Sequence, residues 1–249
     1  MTFSIIIIIW ICAVLFISGF TQGLTGFGFA VIGTPLLSLA LPVQTAVPVS
    51  VLCGGMIAVP IVVTLRRHIL WKPLLVLLLG AAPGIWLGAR LLSAVPAEWI
   101  IGAMGAILTA LGIFQLCNGR VPAAWRGLIP GAICGFLSGA IGASTAAPGP
   151  PVIAYTSVQP WDVRETKSVM NVLFLLMSIT LVPIYGTHDL LTRNVALTCA
   201  WGAPAALAGL AAGLWLSHLL RNRVPLMRRI IYAAVLLLGL SMLAKALWS

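Results

Sequence analysis

Two glycine-rich stretches place polar groups inside an otherwise apolar chain. The first runs from Gly19 to Gly28, and the second runs from Gly139 to Thr145 and continues into Pro148–Pro151. Glycine and proline interrupt helices, and an interruption exposes backbone amides beside the positive end of the next helix. Such a site can bind an anion without a fixed cation. The candidate substrate-binding residues here are Thr21, Gln22, Thr25, Gly26, Gly28, Gly142, Ser144 and Thr145.

The second stretch repeats the first at a spacing of 116 residues, the distance from Gly19 to Gly135. The residues that recur are Gly19, Phe20, Gly23, Gly26, Ala30, Gly33 and Pro35, which match Gly135, Phe136, Gly139, Gly142, Ala146, Gly149 and Pro151. This echo indicates a duplication, and duplicated, interrupted membrane segments are typical of a transporter's substrate site. Alternatively, glycines four residues apart let helices pack closely. The repeated proline and the neighbouring hydroxyls favour the helix break.

The composition predicts a membrane protein built of helices, and the two glycine-rich stretches must lie within or between these helices. Of the 249 residues, 61% are hydrophobic and 7% are charged, and the mean hydropathy is +1.14. Segments of about 20 apolar residues can cross a bilayer, and no alternating strand pattern is present. We therefore predict an all-α polytopic bundle in lipid. The five cysteines have no metal-ligand spacing, so no metal or cofactor is expected.

Glycine, proline and charged residues divide the chain into five apolar segments in each half. The predicted segments are Phe3 to Phe20, Leu24 to Leu41, Thr45 to Leu65, Pro73 to Leu91, Ala97 to Leu116, Gly127 to Gly142, Ala147 to Val158, Ser168 to Tyr185, Val195 to Leu219 and Ile230 to Ala246. The two repeats are assigned to residues 1–119 and 120–249. Because 32 residues from Gly127 to Val158 are short for two passes, we expect broken or re-entrant segments and 8 to 10 crossings.

The basic residues predict orientation rather than nucleic-acid binding, although the net charge is +10. With the N-terminus outside, eleven of the fourteen cations fall in inside loops and three fall outside, which satisfies the positive-inside rule. The inside cations are Arg66, Arg67, Lys72, Arg120, Arg126, Arg164, Lys167, Arg221, Arg223, Arg228 and Arg229. Equivalent loops of the two halves differ in charge, so we predict inverted-topology repeats, an arrangement found in many alternating-access carriers.

Two further residues near the second stretch are candidates for substrate binding. Arg164, at the start of the eighth segment, could guide an anion, or it could be a loop cation balanced by Asp162 and Glu165. Asn171 could face the bundle interior one turn from Ser168, where hydrogen bonding between helices is the alternative. The carboxylates all fall at predicted loops or span ends, which disfavours a proton relay through buried acids.

These motifs resemble the TauE/SafE sulfite exporter family, also called the 4-toluene sulfonate uptake permease family. The residues that carry the resemblance are the glycine motif leading to Pro35, the Gly149-Pro-Pro151 run and Arg164 with Thr166. The resemblance spans both halves. It implies a transporter of the bacterial inner membrane for small sulfur-containing anions such as sulfite, sulfoacetate or other organosulfonates. Ala143 and Ser144 stand where the first stretch has Phe27 and Gly28, which leaves the substrate open.

The sequence thus favours a secondary transporter, with export as the preferred direction. An outward anion gains about 2.3 kcal/mol per charge from a cytoplasm-negative potential of about 100 mV. Two alternatives are kept: an ion-coupled organosulfonate uptake permease, and a non-transporting membrane assembly subunit. An intramembrane enzyme would need a convergent nucleophile and base or a metal set, and the sequence supplies neither.

Overall fold

The computed structural model describes residues 4–117, 119, 121–122, 125–219 and 224–248, and within these ranges it holds ten α-helices and no strand. Among the predicted inside cations, Arg120, Arg221 and Arg223 lie outside the described residues, as does the side chain of Arg228. The helices are α1 (Ile5–Thr25), α2 (Phe29–Leu37), α3 (Val43–Leu65), α4 (Trp71–Ala94), α5 (Ala97–Leu116), α6 (Leu128–Thr145), α7 (Gly149–Ser157), α8 (Val163–Thr187), α9 (Arg193–Leu219) and α10 (Val224–Trp248).

Eight helices in the described part of the chain are long and apolar enough to cross a membrane. The exceptions are α2 and α7, which have nine residues each. The predicted all-α polytopic bundle is therefore confirmed, with four long helices and one short helix on each side of the α5–α6 connection. The protein is a multi-pass membrane protein.

Each short helix follows a sharp break in the chain. The first break comprises residues 26–28, where Gly26 and Gly28 have φ of 87° and 105°. The second break comprises residues 146–148 and begins at Ala146, with φ of 59°. At both breaks the first residue donates its backbone N–H to the carbonyl oxygen four residues earlier, which belongs to Gln22 at the first break and to Gly142 at the second. The breaks therefore end α1 and α6 in the same way.

The two breaks lie 120 residues apart, from Gly26 to Ala146, rather than 116. The starts of α2 and α7, Phe29 and Gly149, and those of α3 and α8, Val43 and Val163, have the same spacing of 120. The sequence echo is thus four residues out of register with the structure. Four residues are about one helical turn, so the shift keeps the matching glycines on the same face of α1 and α6.

That shared face explains why the glycines upstream of the breaks repeat. A Cβ on Gly19 would lie 2.1 Å from the carbonyl oxygen of Ala206 in α9, and one on Gly135 would lie 2.2 Å from that of Leu77 in α4. A Cβ on Gly23 or Gly139 would also lie too close to backbone oxygens of α9 or α4, at 2.6 and 2.4 Å. The predicted close-packing role therefore applies to these four glycines, and α1 continues as a helix past the predicted end at Phe20.

Helix directions follow from contacts along each pair. Ser168 Oγ donates to the Leu65 carbonyl and Ser178 Oγ to the Val51 carbonyl, at 3.2 and 3.0 Å, so α3 and α8 run antiparallel. Gly105 meets Leu243 and Gly112 meets Leu236, so α5 and α10 are also antiparallel. In contrast, α1 runs parallel to α9 and α4 runs parallel to α6. Exchanging the two halves converts the α1–α9 pair into the α6–α4 pair and leaves the α3–α8 and α5–α10 pairs as they are.

Candidate functional site

A central cavity of about 60 Å³ lies between the two breaks, against the middle of α3 and α8. The first break and its flanks contribute Gln22, Phe27 and Gly28, and the second contributes Ala146 and Pro148. The remaining wall includes Gly142, Ser50, Gly54, Phe174, Met177 and Ser178. The fold therefore brings Gln22, Gly28 and Gly142, three of the predicted site residues, to one cavity.

Gln22 and Asn171 are joined by a hydrogen bond beside this cavity. Gln22 Nε2 donates to Asn171 Oδ1 at 3.0 Å, and both residues are buried. Gln22 Oε1 accepts the Phe29 N–H at 3.1 Å, at the start of α2. Asn171 Nδ2 donates to the carbonyl oxygens of Gly26 and Lys167, at 3.0 and 2.8 Å. These two amide side chains therefore connect the first break to α8, a linkage between helices of the kind that the sequence left as an alternative for Asn171.

The predicted hydroxyl ligands are bonded to their own helices. Thr21, Ser144 and Thr145 each donate to the carbonyl oxygen four residues earlier, at 2.7 to 2.9 Å. Thr25 donates to the Thr21 carbonyl and is also bonded to Phe27. None of these four residues lines the central cavity; Thr25 and Gly26 instead line a second cavity of about 280 Å³ beneath Tyr232. An anion needs donors, and these hydroxyl protons are already in use.

The backbone amides at the start of α2 are better placed to bind an anion than those of α7. The first-turn N–H groups of a helix have no partner within that helix, and Phe29, Ala30 and Val31 of α2 all line the central cavity. Because the Phe29 N–H is donated to Gln22, the candidate donors are those of Ala30 and Val31. In α7 the corresponding residues are Gly149, Pro150 and Pro151, and proline has no N–H. The two breaks are therefore chemically unequal, although both were predicted to contribute amides.

A larger basic vestibule of about 550 Å³ lies beside the first break. Arg164 and Lys167 from the start of α8 and His218 from the end of α9 line it, and it extends inward to Gln22 and Gly26. Arg164 is solvent-exposed. Asp162 and Glu165 form a reciprocal capping box, with their carboxylates accepting backbone N–H groups at 2.7 and 2.9 Å. The predicted guiding cation thus lies at the mouth of the site and not in the cavity.

The structure adds residues that the sequence did not single out. Ser50, a buried serine of α3, lines the central cavity, and its hydroxyl has no hydrogen-bond partner among the described residues. Ser178 lines the cavity from α8, and His218 completes the basic vestibule. A single serine within an apolar helix gives no sequence signal, because serine is common in membrane helices as a packing residue.

Comparison with known proteins identifies the family of the chain. The family model described as "Sulfite exporter TauE/SafE" matches residues 11–242, a range that includes both breaks, the central cavity and the basic vestibule. Neither the curated proteins nor the solved structures include a match to the chain. Because the family model covers nearly the whole sequence, the protein belongs to the TauE/SafE sulfite exporter family of membrane transporters.

Proposed function

We propose that the protein is a secondary transporter that exports a small sulfur-containing anion by alternating access, and that the anion binds in the central cavity. The observation that carries the proposal is the enclosure of this cavity by two helix breaks, with the first-turn residues of α2 in its wall. Helix amino termini at a break in the membrane favour anions. The basic vestibule raises the local anion concentration at one entrance.

The size of the cavity favours an inorganic anion over an aromatic sulfonate. A cavity needs roughly 10–15 Å³ to hold one water molecule, whereas an engineered cavity that binds benzene measures about 150 Å³. The central cavity, at about 60 Å³, has room for a group of a few heavy atoms. Sulfite has four heavy atoms, so it is the preferred substrate, with sulfoacetate as the larger candidate.

The positions of the acidic residues support export without a carboxylate proton relay. Glu98 lies in the first turn of α5, Asp162 and Glu165 cap α8, and Asp189 follows the end of α8. Pumps commonly carry protons on acids within the membrane, and these four are the only acidic residues of the chain. The membrane potential can instead drive an anion out of the cell. We also propose a location in a bacterial inner membrane, which the resemblance to the TauE/SafE family implies.

Flux in liposomes tests this function. We expect purified protein to release preloaded sulfite faster than toluenesulfonate, and an inside-negative potential to accelerate the release. Uptake of a sulfonate that requires an ion gradient would identify the symport alternative. Protein-free liposomes and liposomes with Gly142→Leu protein serve as controls. If properly folded protein carries no tested anion in either direction, the assembly-subunit alternative is favoured.

We also propose that the halves are inverted repeats, which the antiparallel α3–α8 and α5–α10 pairs support. Both termini are then outside, and the Arg66–Lys72 loop faces the cytoplasm. We expect a cysteine at Arg67 to react with an impermeant thiol reagent only in inverted vesicles, and one at Ser4 only in intact cells. Labelling of the Arg67 position in intact cells would contradict this orientation.

A further inference from the structure

We propose that the Gln22–Asn171 amide pair is the gate between the basic vestibule and the central cavity. The inference rests on the proposed transport function, since it assigns a route to the same cavity. Gln22 is the residue that lines both spaces. The direct route for an anion from one to the other therefore passes this side chain.

The gate is closed in the structure by a continuous set of hydrogen bonds. Phe29 N–H donates to Gln22 Oε1, Gln22 Nε2 donates to Asn171 Oδ1, and Asn171 Nδ2 donates to the Gly26 carbonyl. The set begins and ends on the backbone around the first break. Gln22 is 4% exposed and Asn171 is fully buried, so the pair fills the space between the two chambers.

Two side-chain amides connect the end of α1 to α8, whereas backbone packing holds α1 to α9. Gly19 and Gly23 bring α1 into contact with the backbone of α9. Neutral hydrogen bonds contribute little net stability, because water or another polar group replaces each partner. The amide pair can therefore open while α1 stays packed on α9, and an arriving anion can accept the N–H that Gln22 gives to Asn171.

The amide pair has no counterpart in the other half of the fold. At the spacing of 120 residues, Gln22 corresponds to Gly142 and Asn171 corresponds to Val51, neither of which has a polar side chain. Tyr185, from the later part of α8, instead donates its hydroxyl to the Ala143 carbonyl at 2.6 Å. Tyr185→Phe thus removes one buried hydrogen bond near the cavity without altering the amide pair, which makes it a matched control.

Cysteine accessibility tests the gate directly. Ser178→Cys places a thiol in the cavity wall, and Ser217→Cys places one in the vestibule. Vesicles of either orientation are treated with iodoacetate, a small anionic thiol reagent, and labelling of the chain without the added cysteine is subtracted. The orientation in which Ser217→Cys reacts identifies the vestibule side. From that side we expect Gln22→Ala to accelerate labelling of Ser178→Cys at least tenfold, and Tyr185→Phe to leave its rate unchanged.

The result is independent of transport, because labelling needs no knowledge of the substrate. If Gln22→Ala leaves the labelling rate unchanged in folded protein, the proposal of a gate is wrong even if sulfite flux is lost. Asn171→Leu is a second variant, which nearly keeps the side-chain shape but removes both the acceptor for Gln22 and the donors to Gly26 and Lys167. It should accelerate labelling as well. Equal acceleration by Tyr185→Phe would indicate general loosening of the bundle and would also overturn the proposal.

Discussion

Replacing Gly26 or Gly142 with leucine is expected to abolish flux while the protein still folds and inserts into the membrane. Gly26 has φ of 87°, and a Cβ there would lie 2.7 Å from Cε of Lys167. Left-handed backbone costs residues other than glycine about 1–2 kcal/mol, but a lysine side chain can move aside. At Gly142 a side chain would meet Pro148 and Met177, at 2.8 and 2.9 Å, and would fill the central cavity.

The matched control is Gly23→Leu, one turn before the first break. Its Cβ would lie 2.6 Å from the Leu210 carbonyl oxygen and 2.7 Å from the Leu214 nitrogen. These are backbone atoms, so α1 and α9 must separate, and overpacking typically costs about 1–3 kcal/mol even where side chains can adjust. We expect this variant to lose its monodisperse peak in detergent gel filtration. If Gly26→Leu and Gly142→Leu lose that peak too, those glycines serve packing rather than transport.

Hydropathy and repetition were sufficient to predict the membrane bundle and its two unusual segments. Apolar segments report burial in lipid directly, so the long helices follow from composition. The register of the repeat was not predictable, because glycines recur along one face of α1 and α6 for packing as well as at the breaks. At the first break the left-handed residue that ends the helix is Gly26, whereas at the second break it is Ala146. Counting sequence identities therefore cannot distinguish a repeat spacing of 116 residues from one of 120, because the two differ by about one helical turn.

The site was predicted at the level of segments but not of individual donors. Although their role in binding stays a prediction, Gln22, Gly28 and Gly142 line the central cavity. Thr21, Ser144 and Thr145 do not, because a hydroxyl in a helix can donate to the carbonyl one turn earlier. Whether a hydroxyl donates to its own helix or points into a cavity depends on its side-chain rotamer and on the neighbouring helix. Neither of these can be read from residue type. The donors that remain are backbone amides, and the prolines of α7 reduce their number at the second break.

Deleting one amide of α2 is therefore expected to weaken anion binding more than neutralising Arg164. Ala30→Pro removes an N–H from the first turn of α2, where proline is tolerated. It also gives α2 the residue that α7 has at the matching position, Pro150. A hydrogen bond to a charged group contributes about 1.5–3 kcal/mol, so the Kd for sulfite should rise roughly 10- to 150-fold.

Arg164→Gln should change the same Kd less than about fivefold, because its exposed charge is screened by water and salt. It should instead slow association, most clearly at low ionic strength. Pro150→Ala is the matched control for Ala30→Pro; it adds an N–H to α7 and should not weaken binding. Equilibrium binding to purified protein decides between the two sources of affinity. If Arg164→Gln eliminates binding while Ala30→Pro retains it, a fixed cation recognises the anion and the helix amino terminus does not.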